Sequence, residues 1–582
     1  MQDYNAPIAD YRFLLADVLG FNAHMQELGK DVDVDLAMAV LEEAGKLCAG
    51  TLHPLNRSGD EEGCHLVNGE VKTPAGFAAA YREFADGGWT SLSAEPTYGG
   101  QGLPFLLQLW LDEMLSAANL SFGLVPGLSR GAAEAIAAHA SDALKATYLP
   151  KLVSGEWTGA MALTESGAGT DLALLKTKAT PNADGSYAVT GQKIFISTGD
   201  HDFGGNVIHL VLARLPDAPD GVKGISLFLV PKFIVNEGGS LGERNGMSVG
   251  SLEEKMGIHA QPTCVMNYDD AKGWLVGEPN RGLAAMFTMM NAERLMVGIQ
   301  GLGVAGAAYG QAVGYAKERL QGRSADGTRG PVPIIEHADV RRMLLNIRGF
   351  VEAGRALAGW VAIQMERAHH HADPAERAKA DALVALLTPV IKASFTDFGF
   401  ESAVQAQQVF GGHGYIREWG MEQYVRDARI AQIYEGTNGV QAMDLVGRKF
   451  GMAGGAVVDG FFDMVAADLA KAAHTEHAQL IAARTGEALE LLRQTTASLK
   501  GADVNALGAA AVDTLRMFAL VSFGWMWARM AAAATDGDNP LHTAKCDMAH
   551  YFATRIQPQV YGLVRQIEAG PASMMAMGAE AF

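Results

Sequence analysis

The stretch Ala162-Leu163-Thr164-Glu165-Ser166-Gly167-Ala168-Gly169-Thr170-Asp171 separates two kinds of sequence. Upstream, from Asp35 to Trp157, Ala, Leu and Glu dominate. Apolar residues there recur at helical spacing, as at Leu106, Leu109, Trp110, Met114 and Leu115. Downstream, Asp184-Gly185 is a turn signal ahead of Tyr187, Val189, Ile194 and Ile196, and residues 207–212 and 225–230 are short apolar runs with β-branched members. A helical domain followed by a small antiparallel β domain is the expected order. The quoted loop, with its short hydroxyls and glycines, offers backbone N–H groups to an acceptor-rich ligand.

After Gly282 the helical period returns in long segments, 284–319, 337–369 and 380–409, which predict a packed bundle. Glycine-rich residues 451–460 then read as a linker to further Ala- and Leu-rich helices. The fold class is thus α+β and multidomain. Its expected parts are an N-terminal segment (1–34), an N-terminal helical domain (35–157), a middle antiparallel β domain (158–280), a C-terminal helical bundle (281–450) and a helical extension (451–582). No fixed-period repeat suggests a solenoid.

Composition narrows the function classes. At 582 residues the chain exceeds one hydrophobic core, and with 49% apolar and 19% charged residues it has material for packed cores rather than disorder. A net charge of −19 repels phosphate backbones and anionic lipid, so no nucleic-acid partner is expected. Cys48, Cys64, Cys264 and Cys546 lie far apart with no C-x-x-C pair, which fits a reducing, cytoplasmic compartment and no metal centre. Asp3, Asp10 and Asp17 against Arg12 do not make a signal or transit peptide. The apolar run 517–528, bounded by Arg516 and Arg529, reads as a buried core helix too short to span a bilayer, so no membrane insertion is expected.

Two motifs invite other readings. Gly301-Leu302-Gly303-Val304-Ala305-Gly306 satisfies G-x-G-x-x-G, but residues 286–299 before it are helical in period. Close helix packing, along a row continuing through Gly310 and Gly314, is the better account. His369-His370-His371 with Asp373 reads as a solvated helix end, because Pro374 disfavours a helical Asp373.

The second informative stretch is Gln408-Val409-Phe410-Gly411-Gly412-His413-Gly414-Tyr415, followed by Arg426-Asp427-Ala428-Arg429 and Ile433-Tyr434-Glu435-Gly436-Thr437-Asn438. In this order and at this separation, the two stretches resemble the acyl-CoA dehydrogenase flavoprotein family, over residues 35 to about 450. The resemblance implies the same helical, β, helical order and FAD as cofactor. It implies flavin contacts at Met161, Thr164, Gly169, Thr170, Phe195, Ile196, Ser197 and Thr437, with Phe195 where the family often has tryptophan. It further implies that Arg319 and Gln321, with Gln408, Gly411 and Gly412, reach the FAD of a neighbouring subunit, in a homodimer or homotetramer. Many relatives have Phe-Gly after that glutamine, where this chain has Gly322-Arg323.

The implied chemistry is α,β-dehydrogenation of an acyl-CoA thioester: a glutamate removes the α-proton, flavin N5 takes the β-hydride, and electrons leave through electron-transfer flavoprotein. Two glutamates compete for the base, Glu435 in the intact Tyr-Glu-Gly-Thr element and Glu293 on an earlier helix. Glu435 is favoured, and Glu293 reads otherwise as an ion-paired helix residue beside Arg294. Thr170, Arg294 and Tyr434 are the implied substrate-site residues. Tyr4-Asn5-Ala6-Pro7 and the helical extension look like the larger bacterial subgroup, which implies 3-(methylthio)propanoyl-CoA as substrate and 3-(methylthio)acryloyl-CoA as product. The alternatives are a general short- to long-chain fatty acyl-CoA dehydrogenase, an acyl-CoA oxidase, and a catalytically silent flavoprotein acting as an assembly partner.

Overall fold

The computed structural model describes residues 3–534 and 537–582. The chain forms two compact units, one from Lys46–Leu103 and Ala118–Met296, the other from Met1–Gly45, Pro104–Ala117 and Val297–Phe582.

In the first unit, helices form where apolar periodicity is framed by caps. Leu120–His139 starts at Asn119, whose side chain accepts from the Phe122 N–H, and Asp142–Val153 starts at Ser141, which accepts from Leu144. Among the described residues this unit holds a seven-stranded sheet. The strand Thr263–Val276 pairs antiparallel with Tyr187–Ser197, Met247–Leu252 and Ile225–Pro231, and Ile225–Pro231 pairs antiparallel with Val207–Arg214. The run at 207–212 is apolar at every position but His209 because both faces of its strand are buried, and the buried His209 ring bonds the Tyr268 hydroxyl and the Gly199 carbonyl. Ile208, Leu210 and Leu212 pack with Leu128, Ile136, Leu149 and Trp157, while Val207, Val211 and Ala213 pack with Val189, Phe228 and Met266.

Two features add to the antiparallel expectation. Thr158–Ala162 pairs in parallel with Val207–Arg214, which a long connection between the strands permits. A short hairpin, His65–Val67 with Glu70–Lys72, sits inside the region read as helical, and its Val71 joins the second sheet core.

In the second unit the long helices Ala338–His370 and Pro374–Val409 pack with the portion of Gly282–Glu318 that begins at Val297. The G-x-G-x-x-G glycines do lie within a helix. A Cβ on Gly301 would come 2.4 Å from the Phe395 carbonyl, and one on Gly303 would come 2.6 Å from that of Glu113. The expected row through Gly310 is corrected, however: a Cβ there would meet open space, so close approach depends on Gly301 and Gly303. The histidine run ends its helix as expected. His371 Nε2 lies 3.1 Å from Glu27 Oε1, and Asp373 caps the next helix by accepting from Ala375 N–H. Among the described residues no cluster of His, Cys, Asp and Glu is suited to a metal ion.

The linker reading of 451–460 is also corrected. Non-helical backbone in this stretch is limited to the four residues Met452, Ala453, Gly454 and Gly455, and Gly460 lies inside the helix Ala456–Ala472. The run 517–528 is buried throughout, as expected of a core helix. Its Ala-rich flanks extend it to Val504–Ala533, 30 residues, so it is not too short to span a bilayer. By length and composition alone, helices at Pro374–Val409 and Val504–Ala533 could each cross a membrane, whereas the equally apolar stretch Asn438–Ala472 is broken at Met452–Gly454. The core helix instead meets the bundle. Trp527 Nε1 donates to the Gly349 carbonyl at 2.9 Å, Phe523 packs among Phe350, Phe395 and Phe398, and Arg516 grips Glu401 with two bonds of 2.7 and 3.0 Å.

Candidate active site

In the sheet-containing unit the loop after Thr158–Ala162 is tied to the strand Tyr187–Ser197. Ile194 N–H donates to the Thr164 carbonyl at 2.9 Å, and Lys193 Nζ donates to the Leu163 carbonyl and to Glu165 Oε1, both at 2.9 Å. Glu165 is the loop's anchor. It also accepts from Lys176 N–H at 2.6 Å, Thr177 N–H at 3.0 Å and the Thr177 hydroxyl at 2.6 Å. Burial pushes its carboxyl pKa up, but Lys193 and these donors outweigh burial and hold it below the ordinary value. Sequence reading quoted Glu165 without assigning it this role. Its signal was a carboxylate among small residues, with Lys193 too far along the chain to pair by inspection.

This anchoring leaves the ligand-facing positions open. Ser166, Gly167, Gly169 and Thr170 are exposed, Met161, Thr164 and Ser197 are half-buried, and Ile196 is buried in the sheet core. Phe195 is 60% exposed and has φ +59°, a conformation costly for a bulky residue. A bulge causes it: Cys264 pairs with Ile196 but Met266 pairs with Lys193, so the sheet re-aims the intervening side chain outward. An outward aromatic plate beside open hydroxyls and N–H groups fits a flat, acceptor-rich isoalloxazine and its phosphates. On the same unit, Glu293 is 3% exposed and packs against Gly131, whose Cβ would meet Glu293 Oε1 at 2.8 Å. Arg294 Nη1 donates to Asn291 Oδ1 at 3.3 Å.

In the helical unit the second group of residues gathers at two places. Arg319 and Gln321 are exposed where Gly282–Glu318 ends, and Gln408, Gly411 and Gly412 are exposed at the break after Pro374–Val409. Tyr315, one turn before Arg319, joins the two. Its ring stacks on Phe410 with centroids 4.1 Å apart, and its hydroxyl bonds His413 Nδ1 at 2.9 Å. A Cβ on Gly412 would meet nothing within 4 Å, so backbone is presented there without side-chain cover. An exposed guanidinium and uncovered backbone N–H groups are each suited to pyrophosphate oxygens.

The other place is the turn at 433–438. Glu435 is half-buried with φ +54°, followed by Gly436 at +87°, where a Cβ would strike Gln441 Nε2 at 2.6 Å. Only glycine fits after Glu435. Exposed Thr437 then caps the helix Asn438–Gly447 by accepting from Val440 N–H at 3.3 Å. The hydroxyl of Tyr434 donates to Gln300 Oε1 on Gly282–Glu318. Sequence reading missed Gln300, since nothing links it to Tyr434 across 134 positions.

Comparison with known proteins agrees along the chain. Family models match the acyl-CoA dehydrogenase N-terminal domain at 37–156, middle domain at 160–271 and C-terminal domain at 280–450. A model described as acetyl-CoA dehydrogenase C-terminal like matches 461–578. The chain is 42% identical over 574 residues to 3-methylmercaptopropionyl-CoA dehydrogenase of Ruegeria pomeroyi, covering 95% of this chain and 96% of the relative. It is 33% identical to butyryl-CoA dehydrogenase of Syntrophomonas wolfei, covering 100% and 99%. Among solved structures it is similar in fold to an acyl-CoA dehydrogenase complexed with FAD from Bacillus anthracis. That likeness has a TM-score of 0.74 and 19% identity, and covers 98% of this chain and 93% of that one.

Proposed function

Because the chain belongs to the acyl-CoA dehydrogenase family, and is therefore an FAD-dependent oxidoreductase, we propose that it oxidises 3-(methylthio)propanoyl-CoA to 3-(methylthio)acryloyl-CoA with Glu435 as base. FAD, when bound, supplies the two-electron acceptor for the β-hydride, which no side chain can provide. The α-proton passes to the Glu435 carboxylate, the β-hydrogen leaves with its electron pair, and a carbon–carbon double bond forms between the two carbons.

The observation that carries the base assignment is the turn itself. Left-handed backbone at Glu435 and at Gly436 holds one carboxylate half-buried ahead of a helix, a strained geometry of the kind that clusters at active sites. Gln300 fixes Tyr434 beside it, which suits a residue shaping the acyl or CoA site. Thr170 is exposed and Arg294 half-exposed, so both have side-chain surface to offer a thioester or phosphate. Phe195 shields one flavin face, and Arg319 binds the pyrophosphate of a neighbouring subunit's FAD, in a cytoplasmic homodimer or homotetramer that passes electrons to electron-transfer flavoprotein.

The methylthio substrate draws its support from the 42% identical relative. A linear fatty acyl-CoA is the second reading, supported by the 33% identical butyryl-CoA dehydrogenase. The test is kcat/KM across an acyl-CoA panel with an artificial electron acceptor. A preference for 3-(methylthio)propanoyl-CoA over butyryl-CoA is expected. A panel led by straight-chain substrates would overturn the methylthio reading and leave the dehydrogenase standing.

A further inference from the structure

Lys392 lies in the middle of Pro374–Val409 and is 0% exposed. An ammonium is expensive there unless its protons meet acceptors. Nζ donates to the Gly436 carbonyl at 2.7 Å and to Asn438 Oδ1 at 2.9 Å. Asn438 is itself held by the same helix: its Nδ2 hydrogens lie among the Ala393 carbonyl at 3.2 Å, Thr396 Oγ1 at 2.9 Å and Asp397 Oδ1 at 2.7 Å. Gln432 Nε2 reaches that Asp397 oxygen at 2.6 Å from the other end of the turn. The left-handed pair Glu435 and Gly436 is thus clamped on both sides to residues 392–397.

We propose that Lys392 is a positioning residue for Glu435, fixing the carboxylate through the Gly436 carbonyl and Asn438. The proposal rests on the reading of Glu435 as the base. A non-glycine residue in the left-handed region persists only where its surroundings over-determine it. Lys392 supplies that constraint one peptide away from Glu435, with a charge-assisted bond to the Gly436 carbonyl. Removing it frees the turn to relax toward ordinary backbone and lets the carboxylate move off the α-carbon. Misplacement of a reacting group by about 1 Å can cost roughly 10²-fold.

The test compares holoenzymes of Lys392→Met, Glu435→Gln and the double variant. It reads FAD content, acyl-CoA affinity, deuterium uptake over 433–438 and the rate of flavin bleaching by saturating acyl-CoA. Lys392→Met should retain FAD and acyl-CoA affinity, exchange faster over 433–438, and bleach about 10- to 100-fold more slowly. The double variant should bleach no more slowly than Glu435→Gln alone, because a residue acting through Glu435 has nothing left to position. Normal bleaching in Lys392→Met, with a collapsed rate in Glu435→Gln, overturns the positioning role alone. So does a double variant that loses the product of the two single effects. Near-normal bleaching in Glu435→Gln overturns the base reading and the proposal with it. If Lys392→Met gives no holoenzyme, Asn438→Ala is read in the same assay: slowed bleaching with retained binding supports the clamp, and a full rate overturns it.

Discussion

Replacing Asp10 with Asn removes one charge from a buried network that joins distant parts of the helical unit. Arg355 grips Glu113 through Nε at 2.9 Å and Nη2 at 2.6 Å and also bonds Asp10. Lys545 bonds Asp10 and reaches Glu352 at 2.8 Å, and Arg348 reaches Glu352 at 2.5 Å. Three carboxylates therefore balance three cations, with Lys545 0% exposed. Burial alone would raise the Asp10 pKa, but Lys545 and Arg355 outweigh it and hold it at about 2, below the ordinary 3.8. A depressed carboxylate pKa contributes stability that is present above the unfolded value and lost as pH falls through the folded one. By linkage that amounts to about 2–3 kcal/mol at pH 7. Leaving a buried cation short of a partner costs about 3–5 kcal/mol. Asp10→Asn should therefore lower the Tm by several degrees at pH 7, followed by tryptophan and flavin fluorescence, with kcat per bound FAD near wild type. The gap to wild type should narrow as pH falls from about 4 toward 2. A Tm within about 1 °C of wild type at pH 7 would refute the argument that this network holds the N-terminal segment to the extension.

Three further outcomes follow from the site and the extension. Glu435→Gln should keep FAD and acyl-CoA binding but slow flavin reduction by at least roughly 10²-fold, while Glu293→Gln keeps much of the rate; stopped-flow bleaching reads both, and the reverse pattern moves the base to the helix. Arg319→Ala, losing a charge-assisted phosphate contact of about 1.5–3 kcal/mol, should shed FAD on dialysis roughly 10- to 100-fold more readily; unchanged retention counts against the contact. Truncation near Gly455 removes the partners of Gly349, Glu401 and Phe350, so it should yield insoluble or dissociated protein; a soluble, fully active truncation refutes a structural need for the extension.

What could be read in advance follows the range of each interaction. Helix periods and the alternation of Tyr187–Ser197 depend on neighbours a few residues apart, so they survive in the sequence. The parallel pairing of Thr158–Ala162 with Val207–Arg214 and the placing of Val71 in the sheet core depend on segments far apart, and no local pattern marks them. The same holds for Asp10, whose partner Arg355 lies 345 positions away. Asp10 looked like one acidic residue among several at an exposed N-terminus, and its burial follows only from the cations that meet it.

The candidate site divides along the same line. Its glycines and hydroxyls are legible because backbone geometry is local: the left-handed φ of +87° at 436 favours glycine for reasons internal to the turn. The groups that hold those loops, Glu165 with Lys193 and Lys392 with Asn438, are legible only as anomalies. Lys392 stands within the apolar sequence Leu386-Leu387-Thr388-Pro389-Val390-Ile391-Lys392-Ala393-Ser394, where a solvated lysine has no place on a buried helix. A charged residue in such a run needs a dedicated acceptor somewhere in the fold. That requirement was readable from sequence; the identity of the acceptor, a carbonyl in the turn that carries Glu435, required the folded chain.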